Sequence, residues 1–213
     1  AFVIKKGALT FGTDVKYENC NTMSREDVIR HILKVTGDDA VVSSTGKISR
    51  EVFEIREESK DTHRCDFLTV GSMGHSSGIA LGIAINKPGK KIWCIDGDGA
   101  ALMHMGAMAT IGSIAPANLV HIIINNGSHE SVGGMPTTAT ELSFADTAKT
   151  LKYPSAVCVN NFEELDAALE NAKKSKSLCL IEVMCKIESR KNLGRPTTSA
   201  KENKKNFMEF LKS

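Results

Sequence analysis

The sequence predicts an α/β domain of three layers, with helices on both faces of a mostly parallel sheet. Three observations lead there. Short continuous apolar runs, such as Ile92-Trp93-Cys94-Ile95 and Leu119-Val120-His121-Ile122-Ile123-Ile124, read as strands buried on both faces. Longer helix-like segments separate these runs, and strand–helix alternation favours parallel pairing. Gly97-Asp98-Gly99 closes the first run and Asn125-Asn126 the second. In a parallel sheet those two ends share one edge, which is where ligands bind.

The bulk properties narrow the class. A chain of 213 residues suits one such domain and can bury a substantial core. The hydrophobic share of 41% is that of a globular protein. A net charge of +2 without a block of like charges argues against a dedicated nucleic-acid binder. The six cysteines (Cys20, Cys65, Cys94, Cys158, Cys179, Cys185) form no Cys-x-x-Cys pair. Cys94, Cys158 and Cys179 lie in apolar runs, so reduced core thiols and a cytoplasmic location are expected. No apolar run reaches membrane-spanning length and no signal peptide is visible, so no membrane association is expected. The chain opens on Ala-Phe-Val-Ile-Lys-Lys-Gly, without an initiator Met. That stretch reads as the end of a preceding segment.

The elements follow in order. Residues 1–23 carry turn residues and little periodicity, and read as a linker or arm from a preceding domain. The domain proper is assigned to 24–213. Ser24 with Asp27 forms a capping signal, and a helix runs through Ile29, Ile32 and Leu33 to Gly37. A Val-Val strand lies within 39–44. Thr45-Gly46 is a turn, followed by a short helix near 48–55. Residues 67–70 form a strand and 71–78 a loop, leading into a small-residue helix at 79–85. After the strand at 92–95, an Ala/Met/Leu-rich helix covers 100–114, and the next strand covers 119–124. Residues 127–142 are a Gly/Ser/Thr-rich loop. Then come a helix (144–151), a strand (156–159), a helix (162–174), a strand (178–184), a polar loop with Gly194-Arg195-Pro196, and a helix (200–211). Lys201, Lys204 and Lys205 read as a solvated face.

The chemistry concentrates at 97–128. Asp98 and Asn126 are hard oxygen donors suited to magnesium. The glycines admit backbone close to a ligand. The N–H groups opening the helix can hold an anion. Together they describe a site for a metal-bound diphosphate. The plainer alternative is a strand–turn–helix in which Asp98 caps the helix and the Asn pair makes a turn. Elsewhere, Gly71-Ser72-Met73-Gly74 sits at another strand–helix junction, where Met73 can simply fill core space. Thr45-Gly46 can be a β-turn with a locally bonded hydroxyl. His129 can act as a proton donor or anion partner, or sit in a solvated loop. His75 reads as a hydrogen-bonded structural residue, and His104 as packed within its helix.

The Gly-Asp-Gly…Asn-Asn spacing resembles the thiamine-diphosphate motif. That resemblance implies that Asp98, the side-chain oxygen of Asn126 and the main-chain carbonyl of Ser128 ligate magnesium. Gly97, Asp98, Gly99, Ala100, Asn126 and Ser128 would then hold the cofactor diphosphate. It further implies that Gly71, Ser72 and Met73 form the loop whose bulky residue props the cofactor in a bent shape, and that Thr45 and Gly46 line its diphosphate or pyrimidine end.

The resemblance is wider than the motif. Residues 44–51 (Ser-Thr-Gly-Lys-Ile-Ser-Arg-Glu), 71–75, 97–137 and 193–198 (Leu-Gly-Arg-Pro-Thr-Thr) together look like the diphosphate-binding half of the phosphonopyruvate decarboxylase family. Sulfopyruvate decarboxylases are close relatives. Membership implies a carboxy-lyase that turns 3-phosphonopyruvate into phosphonoacetaldehyde and carbon dioxide. It also implies a pyrimidine-binding domain, from the same or another chain, whose Glu activates the cofactor, and a homo-oligomer. The chain would then hold half a site. Competing readings are a sulfopyruvate decarboxylase subunit, a cofactor-binding module without catalysis, and a Rossmann-type NAD-dependent oxidoreductase. The last is disfavoured because 97–102 lacks the third Gly of Gly-x-Gly-x-x-Gly.

Overall fold

A computed structural model describes residues 2–9 and 17–212. Of the expected arm, residues 1 and 10–16 lie outside the described residues. Residues near its end lie against the sheet. Asn19 Nδ2 donates to the carbonyls of Asn126 (2.9 Å) and Cys185 (3.0 Å). Met23, 1% exposed, makes a parallel bridge with Cys185.

Helix α1 (Arg25–Thr36) starts where expected, because the Ser24 hydroxyl accepts from the Asp27 N–H at 3.1 Å. It is followed by β1 (Ala40–Ser43), α2 (Lys47–Ser59), β2 (Asp66–Leu68), α3 (Ser76–Asn86), β3 (Ile92–Gly97), α4 (Asp98–Met103) and α5 (Gly106–Ile114). The chain continues through β4 (Leu119–Asn125), β5 (Ser128–His129), β6 (Met135–Pro136), α6 (Phe144–Thr150), β7 (Ser155–Val159), α7 (Phe162–Lys174), β8 (Cys179–Met184) and α8 (Ala200–Phe210).

Six strands form one sheet in the order β2-β1-β3-β4-β8-β7, every neighbouring pair parallel. β5 and β6 form a small antiparallel ribbon apart from it. Successive residues of the inner strands supply opposite cores. Trp93, Ile95, Val120 and Ile122 pack with residues of α1, α2 and α7. Ile92, Cys94, Leu119 and Ile123 pack with residues of α3, α5, α6 and α8. This is the expected three-layer arrangement.

The strand order places the crevice. From β1 the chain moves outward to β2, then returns to β3 on β1's other side. After β1 it enters α2 on one face, and after β3 it enters α4 and α5 toward the other. The two loops diverge, leaving a gap at the strand ends where the topology switches.

Three expectations need correction. The helix expected over 100–114 is two helices, because His104 leaves helical geometry (φ −131°, ψ 45°) and Gly106 restarts the chain as α5. His104 is therefore exposed at a break, with its ring centroid 4.2 Å from that of His75, rather than packed inside a helix. Cys158 is exposed as well, because β7 is an edge strand with one open side. All six cysteines are free thiols.

Candidate functional site

The gap between the β1 and β3 loops is a cleft. Thr45, Met73, Gly97, Asp98, Gly99, Ala100, Asn126, Ser128 and His129 line it. Gly46, Gly71 and Ser72 do not, but Gly71 is tied to the rim: its N–H donates to Thr45 Oγ1 at 3.0 Å. The His75 ring braces the same loop, with Nδ1 at 3.2 Å from the Ser72 carbonyl and 3.3 Å from that of Met73. Gly74 turns that loop at φ +86°, and a Cβ there would lie 2.6 Å from His104 Nδ1.

Asp98 begins α4 and is 5% exposed. Thr137 Oγ1 donates to its Oδ2 at 2.7 Å. Burial pushes the Asp98 carboxyl above its ordinary value, against the pull of the Thr137 hydroxyl, the Gly99 and Gly127 N–H groups and His129. Among the described residues no lysine or arginine forms an ion pair with Asp98. A buried carboxylate aimed at a cleft without a cation is a natural seat for one.

Asn126 directly follows β4, the strand beside it. Its Oδ1 accepts from the Ser128 N–H at 3.0 Å, and its Nδ2 donates to Glu130 Oε2 at 2.9 Å. A backbone N–H only donates and a carboxylate only accepts, so these partners fix which end of the amide faces which way. Asn125 is held in the same manner but inside the protein, with Nδ2 on Glu182 Oε1 at 2.9 Å and Oδ1 accepting from Gly127 N–H at 3.1 Å. The pair thus splits into one structural amide and one that lines the cleft. Ser128 Oγ is buried without a hydrogen-bond partner among the described residues.

A buried ion network backs the cleft. Arg25 makes a two-pronged contact with Glu51, through Nε at 2.7 Å and Nη2 at 2.8 Å, and a further contact with Glu130. Burial works against the Arg25 charge, but the two carboxylates outweigh it and raise its pKa. Burial raises the Glu51 carboxyl and lowers the Lys47 ammonium, whose Nζ lies 3.9 Å from Glu130 Oε1. Arg25, Lys47, Glu51 and Thr137 are the residues the sequence reading missed. Arg25 and Glu51 did carry a signal. Arg25 shares a stripe with Val28, Ile29 and Ile32, and Glu51 with Ile48, Val52 and Ile55, so both charges sit on inward faces of amphipathic helices. Thr137 carried none.

His129 lies over the start of α4. An ideal Cβ on Gly99 would fall 2.3 Å from His129 Cε1 and 3.3 Å from Met73 Cε. Gly99, His129 and Met73 therefore meet at one point of the cleft. The donor set is two hard oxygens beside a helix start, with an imidazole and a thioether above. It suits a cation-bound anion with an organic group attached.

Comparison with known proteins agrees with this chemistry. Residues 44–183 match the C-terminal TPP-binding domain of thiamine pyrophosphate enzymes. A phosphonopyruvate decarboxylase of Streptomyces viridochromogenes is 34% identical over 182 residues, 85% of this chain and 44% of that protein. The chain thus spans less than half the length of that relative. Sulfopyruvate decarboxylase subunit beta of Methanococcus maripaludis is 33% identical over 150 residues, 70% of this chain and 77% of that subunit. An X-ray structure described as a candidate thiamin diphosphate-dependent enzyme of Mycobacterium smegmatis shares the fold. It has a TM-score of 0.64 at 20% identity and covers 79% of this chain and 32% of that one. The matched segment contains both halves of the Asp98–Asn126 cleft, and the chain belongs to the thiamine pyrophosphate enzymes, among relatives named phosphonopyruvate and sulfopyruvate decarboxylases.

Proposed function

We propose that this chain is the diphosphate- and magnesium-binding part of a thiamine-diphosphate-dependent 2-oxo acid decarboxylase, acting on 3-phosphonopyruvate in phosphonate biosynthesis. The observation that carries the reading is the pairing of Asp98 and Asn126 across the switch-point cleft, beside the first N–H groups of α4. The residues fit the metal. Asp98 has one oxygen engaged by Thr137 and, among the described residues, no lysine or arginine partner, and Asn126 has its amide oxygen fixed on the Ser128 side. Asp98, Asn126 Oδ1 and the Ser128 carbonyl would hold magnesium. The backbone of Gly97, Gly99 and Ala100 would take the diphosphate.

When bound, thiamine diphosphate supplies the electron sink for loss of carbon dioxide. The chain's own residues orient and shield. Met73 shapes the bound cofactor, Thr45 borders it, Gly46, Gly71 and Ser72 belong to the loops behind that rim, and His129 stands where a proton can pass to or from the reacting group. The domain grips one end only. A pyrimidine-binding domain, in the same or a partner chain, completes the site, and alignment across that interface accounts for several kcal/mol of the barrier. The extent of the matches supports this: the aligned part covers 44% of a full decarboxylase, and another counterpart is named as a subunit. We place the assembly in the cytoplasm as a homo-oligomer. Among the described residues no helix is long and apolar enough to cross a membrane.

A second reading, sulfopyruvate as substrate, is favoured by the subunit beta match, which covers more of the relative. Calorimetry on the assembled protein tests the site. Asp98→Ala should abolish magnesium-dependent cofactor binding, and unchanged affinity would remove Asp98 from it. Turnover of 3-phosphonopyruvate against 3-sulfopyruvate decides the substrate.

A further inference from the structure

Three side chains converge inside the domain: Cys94 and Asp96 on β3 and His121 on β4. Cys94 and His121 are register partners in adjacent parallel strands, and Asp96 is two residues beyond Cys94. All three therefore point to one face, the one covered by α3, α5 and α6. None is more than 1% exposed. Their ligand atoms lie within 4.8 Å of one another.

The outward atoms of two of these groups are held. His121 Nδ1 lies 3.4 Å from the Tyr153 hydroxyl, and Asp96 Oδ1 accepts from the Gly97 N–H at 3.1 Å. The inward atoms are not. His121 Nε2 and Asp96 Oδ2 face each other at 3.7 Å, and neither has a hydrogen-bond partner among the described residues. A charge-assisted hydrogen bond would close to about 2.7–2.9 Å. This pair is held open.

We propose that Cys94 Sγ, Asp96 Oδ2 and His121 Nε2 bind one divalent ion of zinc's type, in a structural site separate from the cofactor cleft. A thiolate, an imidazole and a carboxylate are zinc's ligand types, with bonds of roughly 2.3, 2.0 and 2.0 Å. In a tetrahedral site with such bonds the nitrogen and oxygen are roughly 3.3 Å apart and each is roughly 3.5 Å from the sulfur, so the 3.7 Å Nε2–Oδ2 gap needs to close by only about 0.4 Å. Tyr153 behind the imidazole and Gly97 behind the carboxylate are the outer partners that orient metal ligands. The buried Ser76 hydroxyl lies beside the Cys94 thiol. Binding exchanges the thiol proton of Cys94 for the metal and releases it to solvent, so thiolate and carboxylate balance the ion's two charges. Magnesium avoids sulfur, so the two sites select different ions. The site ties β3 to β4 next to the turn that carries Asp98.

The test uses the full-length protein, expressed with zinc or with cobalt and dialysed against EDTA. Zinc analysis should find about one ion per chain, retained in Asp98→Ala and reduced at least roughly tenfold in Cys94→Ser. The cobalt form should show a thiolate-to-cobalt charge-transfer band, absent in Cys94→Ser and kept in Cys20→Ser. Because Cys94→Ser can fail to fold, an anomalous map at the zinc edge of wild-type crystals is the second measurement. It should place a peak between Cys94 Sγ, Asp96 Oδ2 and His121 Nε2. A zinc-free wild-type protein, a map without that peak, or zinc lost in Asp98→Ala would overturn the assignment.

Discussion

The Thr137 hydroxyl donates to Asp98 Oδ2 at 2.7 Å and joins the β6 end of the glycine-rich loop to the start of α4. One carboxylate oxygen is thereby fixed. Thr137 Oγ1 in turn accepts from the Ala139 N–H at 3.2 Å, so the loop itself orients the hydroxyl. Thr137→Val should keep the fold, at a cost of about 1 kcal/mol for the lost bond. It should weaken magnesium-dependent cofactor binding by roughly 10- to 100-fold, the usual effect of removing an outer partner of a metal ligand. Thr137→Ser, which keeps the hydroxyl, should bind nearly as well. Calorimetry on the three proteins checks this, and equal affinity for Val and Thr would show the bond to be incidental.

The Asn126 amide offers a sharper test. Glu130 accepts from its Nδ2 at 2.9 Å, which fixes the amide's orientation; in the proposed site its oxygen is the end that would meet magnesium. Glu130→Gln can present either end of its own amide, and Asn126 is then free to flip. Magnesium affinity should fall by about tenfold or more. A carboxylate needs no such orientation because its two oxygens are equivalent. Glu130→Gln should therefore cost little in an Asn126→Asp background. A full second loss in the double variant would mean that Glu130 acts through Arg25 and packing, not through the amide.

Much of this was legible in the sequence, and the limits are physical. Continuous apolar runs at β3 and β4 fixed the buried parallel sheet, because nothing in them faces water. The sequence puts Asp98 and Asn126 at strand ends, and both line the one cleft. Thr137 was not, because its contact spans 39 residues through a loop without periodicity. The break at His104 was hidden too. Ala and Met on both sides favour helix, and the ring contact with His75 that accompanies the break is tertiary.

Gly99 should be intolerant for a steric reason. Its Cβ would fall 2.6 Å from His129 Nδ1 as well as against Cε1. Gly99→Ala gains about 1 kcal/mol of helix propensity in α4, so the metal-free fold should melt near the wild-type temperature. His129 must move, at an overpacking cost of about 1–3 kcal/mol, into the space proposed for the cofactor. Cofactor affinity should fall at least about fivefold, the low end of that cost. Adding His129→Ala should recover part of it. No recovery in the double variant would place the clash elsewhere.

The last prediction concerns pH and Asp98. Burial, opposed by Thr137 and two N–H groups, leaves its carboxyl pKa raised in the folded state. The folded chain then holds this proton more tightly than the unfolded chain does. Its contribution to stability is full below the ordinary carboxylate value near 3.9 and is lost as pH rises through the raised one. At neutral pH the metal-free protein therefore carries a destabilising charge. Asp98→Asn should remove it, raising the metal-free melting temperature by roughly 2–4 °C for each kcal/mol recovered. The same change should abolish magnesium binding. With metal the sign reverses. The cation needs the ionised carboxylate, so magnesium affinity should be complete above the raised pKa and fall as pH drops through it, sooner than for a free Asp. Scanning calorimetry in EDTA at several pH values, with magnesium titrations alongside, reads both limbs. If Asp98→Asn melts lower than wild type without metal, the carboxylate is structural and its burial costs the fold nothing.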